Sequence, residues 1–162
     1  MAKKRQIWTV KDWMTKAVVA LQVTDSIQDA VAKLLRRKVH GAPVTDHHGT
    51  VKGVFSLTDL AKSLNSARSS ANGHSYFWYP IATEFLPGAD ELDFQLPALT
   101  VAEAMSEKIH TVAETATLSE LIRSMLRNKI QRLIVVGPKD RQLRGIITQT
   151  DLLKALQSIL TR

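Results

Sequence analysis

A mixed α/β (α+β) fold of two tandem β-α-β-β-α copies is predicted by three features of this 162-residue chain. The first is an internal repeat. A shift of 91 residues places Thr9 on Thr100, Met14 on Met105, Arg36 on Arg127 and Val44 on Val135. After one extra residue in the second turn, a shift of 92 places Gly53 on Gly145, Thr58 on Thr150 and Asp59 on Asp151. The second feature is an amphipathic helix pattern that occurs once in each copy, and the third is a pair of β-rich runs flanking a polar turn, also once in each copy.

Each copy opens on a capping box, Thr9-Val-Lys-Asp12 or Thr100-Val-Ala-Glu103, whose hydroxyl and carboxylate satisfy free N–H groups at a helix start. A short apolar segment follows, Ala17–Val23 or Ile109–Val112. Next comes a helix with an apolar stripe of Ile27, Ala30, Val31, Leu34 and Leu35, matched by Leu118, Leu121, Ile122, Met125 and Leu126. Asp25 with Gln28, and Thr117 with Glu120, are the expected caps. Two hairpins come after these helices. Ala42–Thr45 and Val51–Phe55 flank Asp46-His47-His48-Gly49, and Leu133–Val136 and Leu143–Ile147 flank Gly137-Pro138-Lys139-Asp140. A last helix begins near Ser56 or Thr148 and carries Leu57, Leu60, Ala61 and Leu64, or Leu152, Leu153, Leu156 and Leu160. A copy of this size buries little core alone, so the two are expected to pack together.

The organisation read from the sequence is a basic tail 1–8, a first repeat 9–64, an insertion 65–98 and a second repeat 99–162. The insertion is polar over Asn65–His74 and then concentrates four aromatics in Tyr76-Phe77-Trp78-Tyr79-Pro80. It reads either as an anchor to the core or to a dimer seam, or as a docking or lid element.

Composition narrows the function classes. With 44% hydrophobic and 23% charged residues the chain is that of a soluble globular protein, and the absence of cysteine removes disulfides and thiolate metal sites. The basic start is followed by no apolar run of signal-peptide length, and no segment approaches the ~20 apolar residues of a membrane span, so a cytoplasmic protein is expected. The net charge of +7 is spread over the basic start and both repeats while the 64–98 stretch is net acidic. Without a basic face or a reading helix, nucleic-acid binding ranks last, and small anions fit better. There is no Ser-His-Asp set, zinc-ligand spacing or Gly-rich phosphate loop, so no enzyme is expected. The adjacent His47 and His48 in a turn do not read as a metal site.

Met14-Thr15 and Met105-Ser106 after a short helix, His40-Gly41-Ala42-Pro43-Val44 at a strand, and the endings Gly53-x-x-Ser56-x-Thr58-Asp59 and Gly145-x-x-Thr148-x-Thr150-Asp151 together resemble the CBS domain. Two in tandem are similar to the CBS pair, or Bateman module. The resemblance covers residues 9–64 and 99–160 and implies repeats packed about a pseudo-twofold axis. It further implies clefts between them for adenosine-containing ligands, frequent homodimers and no catalytic residues. The ligand implied is an adenine nucleotide, AMP first, with ADP, ATP or S-adenosylmethionine as alternatives, serving regulation of a partner that the sequence does not identify.

Ser56 with Asp59, and Thr148 with Asp151, read as ordinary helix caps; the resemblance adds ribose binding by the carboxylates, with Thr58 and Thr150 beside them. A helix start there would also favour phosphate. Ala42 and Pro43 on one strand, and Leu133 and Ile134 on the other, are the positions from which relatives offer backbone to the adenine edge. The His-Arg pair that often precedes this strand is divided here, His40 in the first copy and Arg132 in the second. His40 also reads as a side chain at a helix C-terminus, and Arg132 as a solvated guanidinium. Ala20 and Thr111 occupy equivalent places on the first apolar segment. Thr111, Arg132, Thr148 and Asp151 carry more polar groups than their counterparts, so the second repeat is expected to hold the better site. The rival reading is a ligand-free CBS-pair dimerisation and docking module using the 65–98 insertion.

Overall fold

The computed structural model describes residues 7–68 and 98–161, so the basic start and the aromatic stretch Tyr76–Pro80 lie outside the described residues. The two repeats form one three-stranded sheet each. The first orders β1 (Leu21–Gln22), β2 (Gly41–Thr45) and β3 (Val51–Ser56), and the second orders β4 (Thr111–Ala113), β5 (Arg132–Val136) and β6 (Leu143–Thr148). β4 runs parallel to β5, and β5 antiparallel to β6. A parallel pair needs a crossover and an antiparallel pair only a turn. The amphipathic helices α1 (Ile27–Arg36) and α4 (Leu118–Asn128) stand at the crossovers, and the last helices are α2 (Leu57–Arg68) and α5 (Gln149–Leu160). The β-α-β-β-α order and the hairpins are as the sequence predicts.

The helix starts are local chemistry. Thr117 donates its N–H and hydroxyl to one carboxylate oxygen of Glu120 at 2.8 and 2.9 Å, and Thr100 does the same to Glu103 at 2.8 and 2.7 Å. These bonds stabilise the ionised carboxylates, so both glutamates titrate below their ordinary value, chiefly through the threonine backbone N–H. The expected Asp25–Gln28 cap of α1 is corrected by one residue: the Ser26 hydroxyl accepts the Asp29 N–H at 3.0 Å, and Asp25 instead accepts from the Gln22 N–H at 2.9 Å. Two capping phrases overlap there: Ser26 and Asp29 bond each other, while Asp25 is engaged upstream by Gln22. Both crossover helices end on a lysine in the left-handed region, Lys38 and Lys129 at φ 53°. The following N–H groups of Val39 and Ile130 then reach back to Leu34 and Met125 at 3.1 Å.

The predicted inward stripes are wider than the helices bury. Leu121 and Met125 are core residues, but Leu35, Ile122 and Leu126 are exposed, as are Leu153, Leu156 and Leu160 of α5. A helix laid on one sheet covers a limited arc, and the flanking apolar positions stay outside it.

The chain divides into two compact units whose membership crosses the repeat boundaries. One gathers the described residues up to Val18, Thr45–Val51 and Lys108 onward; the other gathers Val19–Val44 and the described part of Lys52–Glu107. In the former, the 3₁₀ turn Val10–Asp12 belongs to the second repeat's core: Val10 donates to Ala116 at 2.9 Å and packs with Leu121, Met125, Leu133, Val135 and Ile147. Thr15 then exchanges two 2.9 Å backbone bonds with Ile146 and extends the sheet beyond β6. In the other unit, α3 (Val101–Ala104) repeats the arrangement: Val101 donates to Asp25 at 2.9 Å, and Ser106 pairs with Val54 at 3.0 and 2.9 Å. Each leading segment thus completes the unit built on the other repeat. The glycines of the repeated ending permit it, since a Cβ at Gly145 would lie 2.7 Å from the Thr15 carbonyl oxygen and one at Gly53 2.8 Å from that of Ser106.

Two stability predictions follow from the helix ends. Lys129→Gly removes a side chain from a left-handed position, and after the added unfolded-state freedom of glycine a gain of about 0.5–1 kcal/mol is expected in denaturant unfolding. For Glu120, the folded-state value is lowered, so its contribution is present above the ordinary value of 4.5 and disappears as pH falls through the folded value. The advantage of wild type over Glu120→Gln in thermal melts should therefore exist at neutral pH and close below pH 4.5.

Candidate functional site

The central strand positions the candidate residues. Arg132 lies opposite Thr148, and Ile134 lies between Thr111 and Ile146 in the register. Directly opposed residues share a face and neighbours along a strand alternate. Thr111, Arg132, Ile134, Ile146 and Thr148 therefore share one face of the second sheet, while Leu133, Val135 and Ile147 turn to the opposite face and pack under α4. The start of β5 is stitched to the start of α5, because the Gln149 N–H donates to the Gln131 carbonyl at 3.0 Å. The equivalent bond in the first repeat runs from Leu57 to His40 at 3.1 Å.

At this corner sits a buried carboxylate. Asp151 is 8% exposed, and its Oδ2 accepts the Thr148 N–H at 2.9 Å and the Thr148 hydroxyl at 2.8 Å. Asp59 is 7% exposed and its Oδ2 accepts the Ser56 N–H at 3.0 Å and hydroxyl at 2.6 Å. The cap reading of both pairs is thus realised, and it occupies one oxygen of each carboxylate. The other oxygen, Oδ1, lies 3.8 Å from the Lys154 ammonium in one case and 3.6 Å from that of Lys62 in the other. Both lysines are largely exposed, so these pairs are weak and exchangeable. A carboxylate oxygen retains acceptor capacity for a hydroxyl under such conditions.

The remaining sequence-identified residues fall into four groups. Thr111, Ser56 and Thr148 are half-buried, as is Ala20 on the strand-entry segment of the first repeat. Arg132, His40, Thr58 and Thr150 are exposed, the two threonines on the first turn of the last helices. Leu133 and Ala42 point into the cores, so only their backbone is available to a ligand. Pro43, buried, takes the place that Ile134 has in the other repeat. All second-repeat candidates belong to one compact unit and all first-repeat candidates to the other.

Sequence reasoning assigned no role to Lys62 and Lys154, although the i, i+3 spacing from each aspartate was visible. It also could not find the carbonyls of His40 and Gln131, which hold the helix starts through backbone atoms. Among the described residues no three His, Asp or Glu side chains gather as a metal set, and no helix is long and apolar enough to cross a membrane.

Comparison with known proteins places this geometry in a family. The sequence model of the CBS domain matches residues 10–66 and 101–158. An uncharacterised protein of Methanocaldococcus jannaschii is 27% identical over 157 residues, covering 93% of this chain and 92% of its own. The CBS domain-containing protein CBSX2, chloroplastic, of Arabidopsis thaliana is 29% identical over 157 residues, covering 94% of this chain and 65% of its own. A crystal structure of CBSX2 in complex with AMP superposes with a TM-score of 0.65 at 26% identity, covering 94% of this chain and 98% of that one.

The cap has a measurable structural share. Asp151→Ala removes the acceptor of two hydrogen bonds at a helix start and is expected to cost about 1–2 kcal/mol in denaturant unfolding, with Asp151→Asn costing less.

Proposed function

The chain belongs to the CBS domain family, and on that premise we propose that it is a non-enzymatic regulatory module that binds an adenosine-containing nucleotide, AMP first, at the two repeated corners. The observation that carries this reading is the buried aspartate at each last-helix start, with one oxygen committed to the cap and the other facing only an exposed lysine. A ribose diol would donate to that second oxygen. In the second repeat the base would lie along the face carrying Thr111, Ile134 and Ile146, with strand backbone near Leu133 at its edge. Arg132, Thr148 and Thr150 would meet the phosphate, aided by the helix start. In the first repeat the corresponding residues are Ala20, His40, Ala42, Pro43, Ser56, Thr58 and Asp59, a set with less positive charge.

Support comes from CBSX2, whose crystal structure holds AMP and whose sequence runs along nearly all of this chain. Binding would regulate by linkage: a nucleotide with unequal affinity for two states of the protein or its partner shifts the balance by that difference. Residues of catalytic type are not part of this proposal.

Titration calorimetry against AMP, ADP, ATP and S-adenosylmethionine tests it. AMP is expected to bind with the highest affinity. Asp151→Asn, checked for folding by thermal melt, should weaken binding roughly 10–100-fold through loss of a charge-assisted hydrogen bond. No heat with any of the four at millimolar concentration would overturn the reading, and a ligand lost only with Asp59→Asn would transfer the better site to the first repeat.

A further inference from the structure

The two sheets differ at one backbone bond. In the second, the Ile134 N–H donates to the His110 carbonyl at 3.3 Å, and Thr111, the first residue of β4, lies opposite Ile134. The shift of 91 residues carries His110, Thr111 and Ile134 back onto Val19, Ala20 and Pro43. Proline has no N–H, so the equivalent bond cannot form in the first sheet. β1 accordingly begins at Leu21, the counterpart of Val112, one residue later in the repeat than β4. Pro43 also stands in the central strand of its sheet, a place from which proline is ordinarily excluded because it costs a ladder bond. The consequence falls on the Val19 carbonyl. Among the described residues no backbone N–H donates to it, although Val19 is half-buried and its side chain packs against the first repeat's core. A carbonyl held in this way costs free energy until a donor reaches it.

We propose that the Val19 carbonyl is the acceptor through which the first repeat's corner selects a base carrying an exocyclic amine, and that Pro43 is the residue that keeps this acceptor open. The inference rests on the nucleotide reading above, in which the base of the second repeat lies along Thr111 and Ile134. Ala20 and Pro43 are the counterparts of those two residues, and Val19 directly precedes Ala20. The amine of a 6-aminopurine supplies the N–H that Pro43 lacks, whereas a base with hydrogen at that position leaves the carbonyl unpaired. A site built around such a bond rejects the analogue lacking the donor, because its own polar group is then stranded. In the second repeat the His110 carbonyl already has its donor in Ile134, so loss of the amine strands nothing there. The two corners thereby divide the ligand between them: Arg132 gives the second the greater positive charge, and Pro43 gives the first the selectivity for the base.

The test is calorimetry on the full chain with AMP and with purine riboside 5′-monophosphate, which carries hydrogen in place of the amine. Asp151→Asn weakens the second corner and so reports the first, and Asp59→Asn does the reverse. At the first corner AMP is expected to bind about tenfold more tightly than the analogue, and at the second within about twofold of it. Pro43→Ala and Pro43→Val, each made in the Asp151→Asn protein and checked by thermal melt, restore the N–H at two side-chain sizes. Both should bring the AMP preference down to that of the second corner while the analogue's affinity is kept. A second readout needs no ligand: in hydrogen exchange the amide introduced at position 43 should be protected as the Ile134 amide is, through its bond to Val19. A preference unchanged by both substitutions, equal preference at the two corners, or an unprotected amide at position 43 would overturn the proposal while leaving nucleotide binding intact. No binding of either nucleotide to the wild-type protein would instead overturn the nucleotide reading, and this selectivity with it.

Discussion

The carboxylate that closes the start of each repeat's last helix is the constraint on which the candidate site depends. Asp151 binds the N–H and hydroxyl of Thr148 with a single oxygen, which fixes the turn from β6 into α5 and holds the second oxygen at the corner. The Gln131 carbonyl, bonded to the Gln149 N–H, ties the start of β5 to the same turn. Strand end, helix start and carboxylate are thus one rigid assembly, and its functional reading follows from an acceptor that folding leaves half used. Asp59 with Ser56 and His40 repeats the assembly in the other unit.

Exchange of the leading segments gives that assembly its outer support. Thr15 pairs with Ile146 on β6, two residues before Thr148, and Gly145 leaves room for the approach. Ser106 stands in the same relation to Val54 and Gly53. Each unit therefore needs chain from both repeats, which couples the folding of the two halves although each repeat spells out its own helices and strands locally.

Local phrases were legible in the sequence because their chemistry is local. Thr117-x-x-Glu120 and Thr148-x-x-Asp151 place hydroxyl and carboxylate within one helical turn, and both form as read. The repeat, the hairpins and the crossover helices were legible for the same reason. The Asp25 cap was misplaced by one residue because two capping phrases overlap, and the bond of Asp25 to the Gln22 N–H, which leaves the cap to Ser26, is seen only in the structure. The exposure of Leu126 and Leu153 was not legible, since periodicity shows that a face is apolar but not how much of it a sheet covers. The exchange of leading segments was also hidden, because the Val10 N–H has its acceptor at Ala116, far along the chain. At the site, the sequence marked Arg132, Thr111 and Asp151, while the strand register that sets Arg132 beside Thr148 and turns Leu133 inward required the structure.

The central claim is that the second oxygen of the capping carboxylate, 3.8 Å from the exposed Lys154 ammonium, receives a ribose diol. Its most direct test is the ratio of the dissociation constants of 2′,3′-dideoxy-AMP and AMP for the wild-type protein. A carboxylate deprived of its hydroxyl partners predicts binding weaker by roughly 10–100-fold for the dideoxy ligand. Equal affinity for the two would contradict the account.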